Sequence, residues 1–241
     1  MGKNKKLNRK NKGWNRQNQP EDFQNMGETP RSRKPPVPLI PRTTNQGYYI
    51  SDIDRCDLVF GLGEAGTGKT YVATRKACEA LKSREVDKII VTRPMVSAEE
   101  DMGFLPGETE DKFAPYFAPV REILDKTLGA SYVDNLIRLK KIEVAPIAFL
   151  RGHTFENAFV IFDEAQNTTP GQMKLFLTRI GEGTKTVVCG DLGQVDISGP
   201  SGLADAVDRF GGLPEAAVTR FGPEDVTRSG LARKIVEGYR K

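Results

Sequence analysis

The stretch GEAGTGKT, from Gly63 to Thr70, decides the fold. It fits the pattern G-x-x-x-x-G-K-[ST], and it lies between the strand-like run DLVFGLG and a stretch that is predicted to be helical from Lys69 onward. Glycines allow such a loop to fold into a nest of backbone amide groups, and the positive end of the following helix strengthens its attraction for phosphate. The sequence therefore predicts a phosphate-binding loop between a strand and a helix.

The side chains at the end of this loop have different predicted tasks. Lys69 can reach the β- and γ-phosphates of a nucleotide, and the Thr70 hydroxyl can coordinate Mg²⁺. The residues predicted to hold the nucleotide here are Gly63, Glu64, Ala65, Gly66, Thr67, Gly68, Lys69 and Thr70.

From about residue 57, short apolar runs alternate with helical patterns, which is typical of parallel strands joined by crossover helices. Several runs are apolar without alternation, as strands covered on both faces are. The predicted strands are DLVFGLG (57–63), KIIVTRP (88–94), KIEVAPIAFL (141–150), AFVIFDEA (158–165), KTVVCGD (185–191) and AAVTRF (216–221). Helices are predicted after Lys69, around 108–128, after Pro170, at 201–209 and at 229–239. The expected fold is α/β, a mostly parallel sheet with helices on both faces.

A second stretch, FVIFDEAQN (159–167), sets Asp163 and Glu164 side by side after an apolar run. Buried carboxylates are costly unless they are paired, hydrogen-bonded or bound to a metal, so the pair predicts either a site at a strand end or a solvated turn. Beside a phosphate-binding loop, Asp163 can join the magnesium shell and Glu164 can polarise water for attack on the γ-phosphate. This arrangement favours ATP hydrolysis over phosphate transfer to a second substrate. An ordinary surface glutamate is the alternative for Glu164.

Two glutamines extend the candidate site. Gln194 follows the apolar run VVCGD, where adjacent strands converge on the phosphates, so its amide can sense the γ-phosphate. Gln46 lies seventeen residues before Gly63 in TTNQGYY, and a glutamine side chain can bond both the donor and the acceptor edge of adenine. Simple exposure in a loop is the alternative for Gln46.

The charge of the chain is unevenly distributed. Residues 1–42 hold eleven Lys/Arg and three Asp/Glu, a net charge of +8, so the remaining 199 residues carry 4 − 8 = −4. Residues 1–42 are therefore predicted to form a disordered basic arm with a proline-containing linker, and residues 43–241 to form one domain. The arm is expected either to contact phosphates or only to aid solubility.

Composition also excludes several classes of protein. No apolar run is long enough for a membrane helix, and no apolar stretch follows the basic N-terminus, so we expect a cytoplasmic protein without membrane contact. The three cysteines, Cys56, Cys78 and Cys189, lack metal-site spacing and are expected in the core. A single histidine, His153, excludes a site built from several histidines.

Several motifs taken together resemble the PhoH family, the phosphate-starvation-inducible ATPases, over roughly residues 43–241. They are TNQ, GEAGTGKT, VTRP, GFLPGETEDK, RGHTFENAFVIFDEAQNTTPGQMKLFLTRIG, GDLGQVD and DVTRSGLARKIVEGY. The family is similar to the first RecA-like domain of superfamily 1 helicases, so the resemblance implies a RecA-like P-loop NTPase that uses ATP and Mg²⁺. It implies Gln46 at adenine, Lys69 and Thr70 at phosphate and Mg²⁺, Asp163 and Glu164 in hydrolysis, and Gln194 as γ-phosphate sensor.

The resemblance also implies partners. Members are associated with RNA metabolism and ring-shaped oligomers, so we expect the protein to bind RNA or single-stranded nucleic acid and to form a homo-oligomeric ring, with a hexamer favoured. Members are also common in phage genomes, so the expected location is the host cytoplasm if the gene is phage-borne. A nucleotide-switched regulatory or scaffold protein is the alternative. Some relatives carry an N-terminal PIN nuclease domain. Residues 1–42 do not resemble one, so self-contained RNA cleavage is not expected.

Arginines are the remaining candidates. In two-domain helicases the second domain supplies arginines to the transferring phosphate, so here we expect one from a neighbouring subunit of the ring. Arg228 is favoured over Arg179 and Arg220 because it matches the family's terminal pattern, although RSGLARK replaces the usual histidine and proline after it. Arg93, in VTRP, is expected to contact a nucleic-acid backbone, to be solvated, or to form a structural ion pair.

Overall fold

The computed structural model describes residues 38–94, 109–150, 152, 154–227 and 238, with side chains from residue 116 onward in the helix that begins at 109. All of them belong to one compact unit, Lys34–Lys241. The helix predicted at 229–239 lies outside the described residues except for Gly238, and His153 and Arg228 also lie outside them.

Six parallel strands form one sheet, as the alternating pattern predicts. They are β1 (Leu58–Leu62), β2 (Lys88–Thr92), β3 (Ile142–Val144), β4 (Ala158–Phe162), β5 (Lys185–Gly190) and β6 (Ala216–Arg220), in the order β3-β2-β4-β5-β1-β6. The strand predicted over 141–150 is too long. Pro146 has no N–H to give to a ladder, and the chain continues as a 3₁₀ turn, Ile147–Leu150.

Helices cover both faces of the sheet, as expected. They are α1 (Thr44–Arg55), α2 (Lys69–Ser83), α3 (Thr109–Leu128), α4 (Ala130–Arg138), α5 (Pro170–Leu177) and α6 (Gly202–Phe210). The helices α1 to α4 pack on one core and α5 and α6 on the other, because alternate strand residues such as Phe159 and Val160 point to opposite faces. The three cysteines are buried and unpaired in the first core, as predicted. The helices α1 and α4 were not predicted.

The strand order brings three loops together at the carboxyl edge of the sheet. The strands β4 and β5 fill the two positions between β2 and β1, so β5 lies between β4 and β1. Its register places Gly190 beside Leu62 of β1 and Val188 beside Phe162 of β4. The loops that begin at Gly63, Asp163 and Asp191 therefore share one edge. Among the described helices, none is both long and apolar enough to cross a membrane.

Candidate active site

The loop between β1 and α2 has the backbone of a phosphate nest. Gly63, Gly66 and Gly68 have φ values of 148°, 90° and 90°, which favour glycine. A Cβ at Gly63 would lie 2.7 Å from the Cβ and the carbonyl oxygen of Phe221, and one at Gly68 would lie 2.8 Å from Nε2 of Gln46. No side chain caps α2 at Gly68, so the first N–H groups of the helix face the loop. The loop therefore has a backbone shape that suits an anion, and Phe221 and Gln46 pack closely against it.

Lys69 lies inside the curve of this loop. Its buried Nζ donates to the carbonyl oxygens of Gly63 at 2.5 Å and Glu64 at 2.8 Å, and to Oγ1 of Thr67 at 3.4 Å. These oxygens offset the cost of burying the ammonium group. Charged phosphate oxygens are stronger acceptors than carbonyls, so the same ammonium is placed to bind phosphate.

Thr70 and Asp163 meet at the base of the loop. The Thr70 hydroxyl, on the first turn of α2, donates to Oδ1 of Asp163 at 2.7 Å, although the two residues are 93 positions apart. Burial raises the pKa of Asp163 above its usual value and the charge of Glu164 adds to this, while the Thr70 hydrogen bond and Arg93 act against it. A cation at this position would favour the charged carboxylate.

Glu164 begins the turn after β4 in a left-handed conformation, with φ 53° and ψ 35°. Such a conformation is uncommon for a residue with a side chain and costs on the order of 1 kcal/mol or more. Its Oε2 accepts from Nε2 of Gln166 at 2.7 Å, and its Oε1 lies 3.7 Å from Nη2 of Arg93. The Glu164 side chain is 39% exposed, so water can reach it while two neighbours restrain its carboxylate.

Gln194 lies in the exposed loop that follows β5. Its Nε2 donates to Oδ2 of Asp191 at 2.6 Å, and Oδ1 of the same carboxylate accepts from the N–H of Gly193 at 2.9 Å. The N–H of Asp191 in turn donates to Oε1 of Gln166 at 3.0 Å. The structure thus joins the loop of Gln194 to the turn that carries Glu164. Gln166 was not singled out in the sequence, although its position in DEAQN, two residues after Glu164, was the available signal.

Gln46 lies on α1, not in a loop, and it is buried against the phosphate loop. Its Nε2 donates to the carbonyl of Thr67 at 2.9 Å, and its Oε1 accepts from the N–H of Arg42 at 2.8 Å. Both ends of the amide are used inside the protein, so a contact with adenine requires one of these bonds to be exchanged. The adenine contact stays a prediction.

A segment after β6 also supports the phosphate loop, a role that was not predicted although the segment contains the start of the motif DVTRSGLARKIVEGY. The N–H and the hydroxyl of Thr227 donate to the carbonyl of Gly66 at 3.0 and 3.2 Å. Asp225 is buried beneath and accepts from Nδ2 of Asn45 at 2.7 Å. Burial acts to raise the pKa of Asp225, but hydrogen bonds from Asn45, Thr43 and the Gly222 N–H outweigh it and lower the pKa.

Arg93 joins the site to a neighbouring surface. Besides its ion pair with Glu164, its guanidinium group lies 5.9 Å from the ring centroid of Tyr116, on α3. The ion pair considered from the sequence is therefore present. Tyr116 is 39% exposed, so part of the ring is open to solvent beside the charge.

A glycine-rich loop that ends in lysine and threonine, joined to a strand-end aspartate in a parallel sheet, defines the P-loop nucleoside triphosphatases. The family model described as PhoH-like protein matches residues 38–240. The chain therefore belongs to the PhoH family.

Relatives agree with this assignment. The chain is 47% identical over 213 residues to Protein PhoH of Escherichia coli (strain K12), covering 87% of this chain and 60% of that protein. It is 46% identical over 202 residues to the PhoH-like protein of Bacillus subtilis (strain 168), covering 83% and 63%. The chain thus spans about 60% of the length of these relatives. A solved structure, the large terminase of a thermophilic bacteriophage, is similar over 82% of this chain and 50% of that one, with 10% identity and a TM-score of 0.47.

Proposed function

We propose that this protein binds ATP with Mg²⁺ and hydrolyses the nucleotide at the carboxyl edge of its sheet. The observation that carries this function is the 2.7 Å contact between the Thr70 hydroxyl and the Asp163 carboxylate at the base of the phosphate loop. Hydroxyl and carboxylate oxygens are ligands that Mg²⁺ accepts, and a bound cation would offset the burial that raises the pKa of Asp163. The residues present fit the metal.

The residues of the chain divide the task between them. The loop amides and Lys69 bind and orient the phosphates, and Thr70 with Asp163 would hold Mg²⁺. When bound, the metal would neutralise charge on the β- and γ-phosphates. Glu164 is exposed enough to contact water and can accept its proton, while Gln166 and Arg93 restrain its carboxylate.

Two substitutions test this assignment. Glu164→Gln should leave ATP affinity intact and slow hydrolysis at least ~100-fold, because an amide cannot take the proton. Lys69→Ala should weaken ATP binding itself, measured by titration with a fluorescent nucleotide. Unchanged turnover of the Glu164→Gln protein would remove Glu164 from the reaction. A normal ATP affinity of the Lys69→Ala protein would mean that the loop does not hold the phosphates.

A role with RNA or single-stranded nucleic acid is the second part of the proposal. The observation that favours it is Arg93, which contacts both the partly exposed ring of Tyr116 and the carboxylate of Glu164. Cations beside exposed aromatic rings suit phosphates and stacked bases. ATPase assays with and without single-stranded RNA test the idea, and Arg93→Ala should reduce any stimulation. No stimulation in the wild-type protein would favour a nucleotide-switched regulatory or scaffold protein.

A ring in which Arg228 completes the site of a neighbouring subunit is the third part. An arginine at the transferring phosphate is worth about 10³ or more in rate where one has been removed. Mixing Arg228→Ala subunits with Lys69→Ala subunits should recover activity that neither variant shows alone, since some shared sites would then be intact. Recovery would be absent if Arg228 serves its own chain, and a monomeric mass with ATP present would exclude the ring.

A further inference from the structure

Gln166 occupies the junction between two loops of the candidate site. It is 1% exposed and lies on the 3₁₀ turn Ala165–Asn167, two residues after Glu164. Its amide is used at both ends, since Nε2 donates to Oε2 of Glu164 at 2.7 Å and Oε1 accepts from the N–H of Asp191 at 3.0 Å. A primary amide is a neutral side-chain group that can donate to a carboxylate from its nitrogen and accept from an N–H at its oxygen at once.

The connection continues beyond Asp191. Asp191 is 9% exposed, and its carboxylate accepts from Nε2 of Gln194 at 2.6 Å. A continuous set of hydrogen bonds therefore runs from Glu164 through Gln166 and Asp191 to Gln194. Its two ends are the carboxylate proposed to take the proton of water and the amide proposed to sense the γ-phosphate.

The space around Gln166 leaves its amide little freedom. A Cβ at Gly190 would lie 2.9 Å from Oε1 of Gln166 and even closer to Cδ2 of Leu203, so the Gln166 side chain lies directly against the end of β5. The hydroxyl of Ser201 donates to the Gln166 carbonyl at 2.8 Å and fixes the backbone as well. Where hydrogen-bonded groups are buried, as Gln166 is, the position of one group constrains the next.

We propose that Gln166 is a positioning residue for hydrolysis, which holds the Glu164 carboxylate toward water and couples it to the position of the Gln194 loop. The inference rests on the proposed function of Glu164. The Gln166 bond, at 2.7 Å, is the shorter restraint on this carboxylate, since the Arg93 ion pair is at 3.7 Å. Loss of the Gln166 bond should therefore leave the carboxylate poorly oriented while the phosphate loop is untouched.

Asn167 provides a matched control. It lies on the same turn, is 7% exposed, and its amide bonds the same loop. Nδ2 donates to Oδ2 of Asp196 at 3.0 Å, and Oδ1 accepts from the N–H of Asp196 at 2.8 Å. Its side chain thus anchors the loop through Asp196, whereas that of Gln166 anchors the loop and also bonds Glu164.

The experiment compares Gln166→Met with Asn167→Leu, which each replace an amide by an apolar side chain of similar size. Both proteins should lose some thermal stability. Only Gln166→Met should lower kcat for ATP, by about 10-fold or more, with KM and nucleotide affinity changed less than about 2-fold. Gln194→Ala should then cost clearly less in the Gln166→Met background than in the wild-type protein, because the connection is already broken.

Equal losses of kcat in the two variants would overturn the inference, since Gln166 would then only anchor the loop. If the fold-losses of kcat from Gln166→Met and Gln194→Ala simply multiply in the double variant, the two residues are not coupled. If Gln166→Met does not fold, Gln166→Glu keeps the acceptor for Asp191 but loses the donor to Glu164, and wild-type kcat in that protein would also overturn the inference. Failure of the proposed function is separate: it would show as unchanged turnover in Glu164→Gln, whatever Gln166→Met does.

Discussion

At the scale of one residue, Asp163 is a site residue whose buried charge lowers the stability of the fold. Its carboxylate is buried beside Glu164, and the Thr70 hydroxyl and Arg93 only partly compensate, so its pKa is raised. A group whose charged form is disfavoured in the folded state destabilises that state at neutral pH. Such costs are common where function requires a poorly satisfied polar group.

Asp163→Asn should therefore stabilise the metal-free protein at pH 7, by roughly 0.5–2 kcal/mol in the free energy of unfolding. The sign follows from proton linkage. Because the folded-state pKa lies above the unfolded one, the native protein takes up the proton first as the pH falls, which relieves the cost. The advantage of asparagine should be largest above the raised pKa of Asp163 and decline as the pH falls through that pKa toward the usual value of about 4.

Urea unfolding between pH 7 and pH 4 measures this dependence. Asp208→Asn, at an exposed position on α6, is the control and should change stability by less than about 0.5 kcal/mol. A less stable Asp163→Asn protein at pH 7 would show that the Thr70 hydrogen bond outweighs the loss of water around the carboxylate.

Individual residues of the site differ in how far the sequence predicts them. Lys69 and Thr70 are fixed by a motif in which each position has its own chemistry, and Asp163 follows from a charge placed after an apolar run. The contacts of Gln166 with Asp191 and of Thr227 with Gly66 could not be found this way, although DEAQN places Gln166 close to the carboxylate pair. The partners in these two contacts are 25 and 161 positions apart, and only the strand order brings them together.

At the scale of elements, α1 shows why one helix was missed. Its sequence, TNQGYYISDIDR, contains Gly47, aromatic and β-branched residues and aspartates, all poor helix formers. Packing stabilises this helix instead, since Tyr49 and Ile53, four residues apart, are fully buried against the sheet.

The strands were predictable because their apolar runs are short and bounded by turns. The strand predicted through Pro146 failed because a proline cannot extend a ladder.

Two glycine substitutions test how α1 is held. A Cβ at Gly61 of β1 would lie 2.6 Å from Oη of Tyr49, so Gly61→Ala should force this ring outward and destabilise the fold by about 1–3 kcal/mol. At Gly47 the nearest atoms to a Cβ are 3.9 Å away, in Pro41. Gly47→Ala should therefore stabilise the protein, by roughly 0.5–1 kcal/mol, because alanine favours the helix.

Thermal and urea unfolding of both proteins measure the expected loss of stability in Gly61→Ala and the expected gain in Gly47→Ala. Equal stability of Gly61→Ala and the wild-type protein would mean that Tyr49 does not depend on the space at Gly61. Destabilisation by Gly47→Ala would contradict a regular helix at this position of α1.

At the scale of the whole molecule, charge separates the N-terminal segment from the rest. Residues 1–37 hold ten Lys/Arg and three Asp/Glu, or +7, which leaves 4 − 7 = −3 for residues 38–241. The structure shows where a deletion should stop. Leu39 packs against the first core, and the N–H of Arg42 bonds the side chain of Gln46, so residues from 38 onward contribute to the folded domain.

Deletion of residues 1–37 should weaken the proposed binding to single-stranded RNA and leave ATP hydrolysis without RNA unchanged. Basic side chains that bind phosphates release counterions, so the slope of log affinity against log salt should fall by about 0.7 for each phosphate that the shortened protein no longer neutralises. A full-length chain in which the seven basic residues of 1–20 become glutamine separates charge from length, and it should reproduce most of the decrease in affinity. Fluorescence anisotropy at several salt concentrations measures both. If affinity and salt slope survive the deletion, the segment only aids solubility, and Arg93 with Tyr116 becomes the surface to which RNA binding should be assigned.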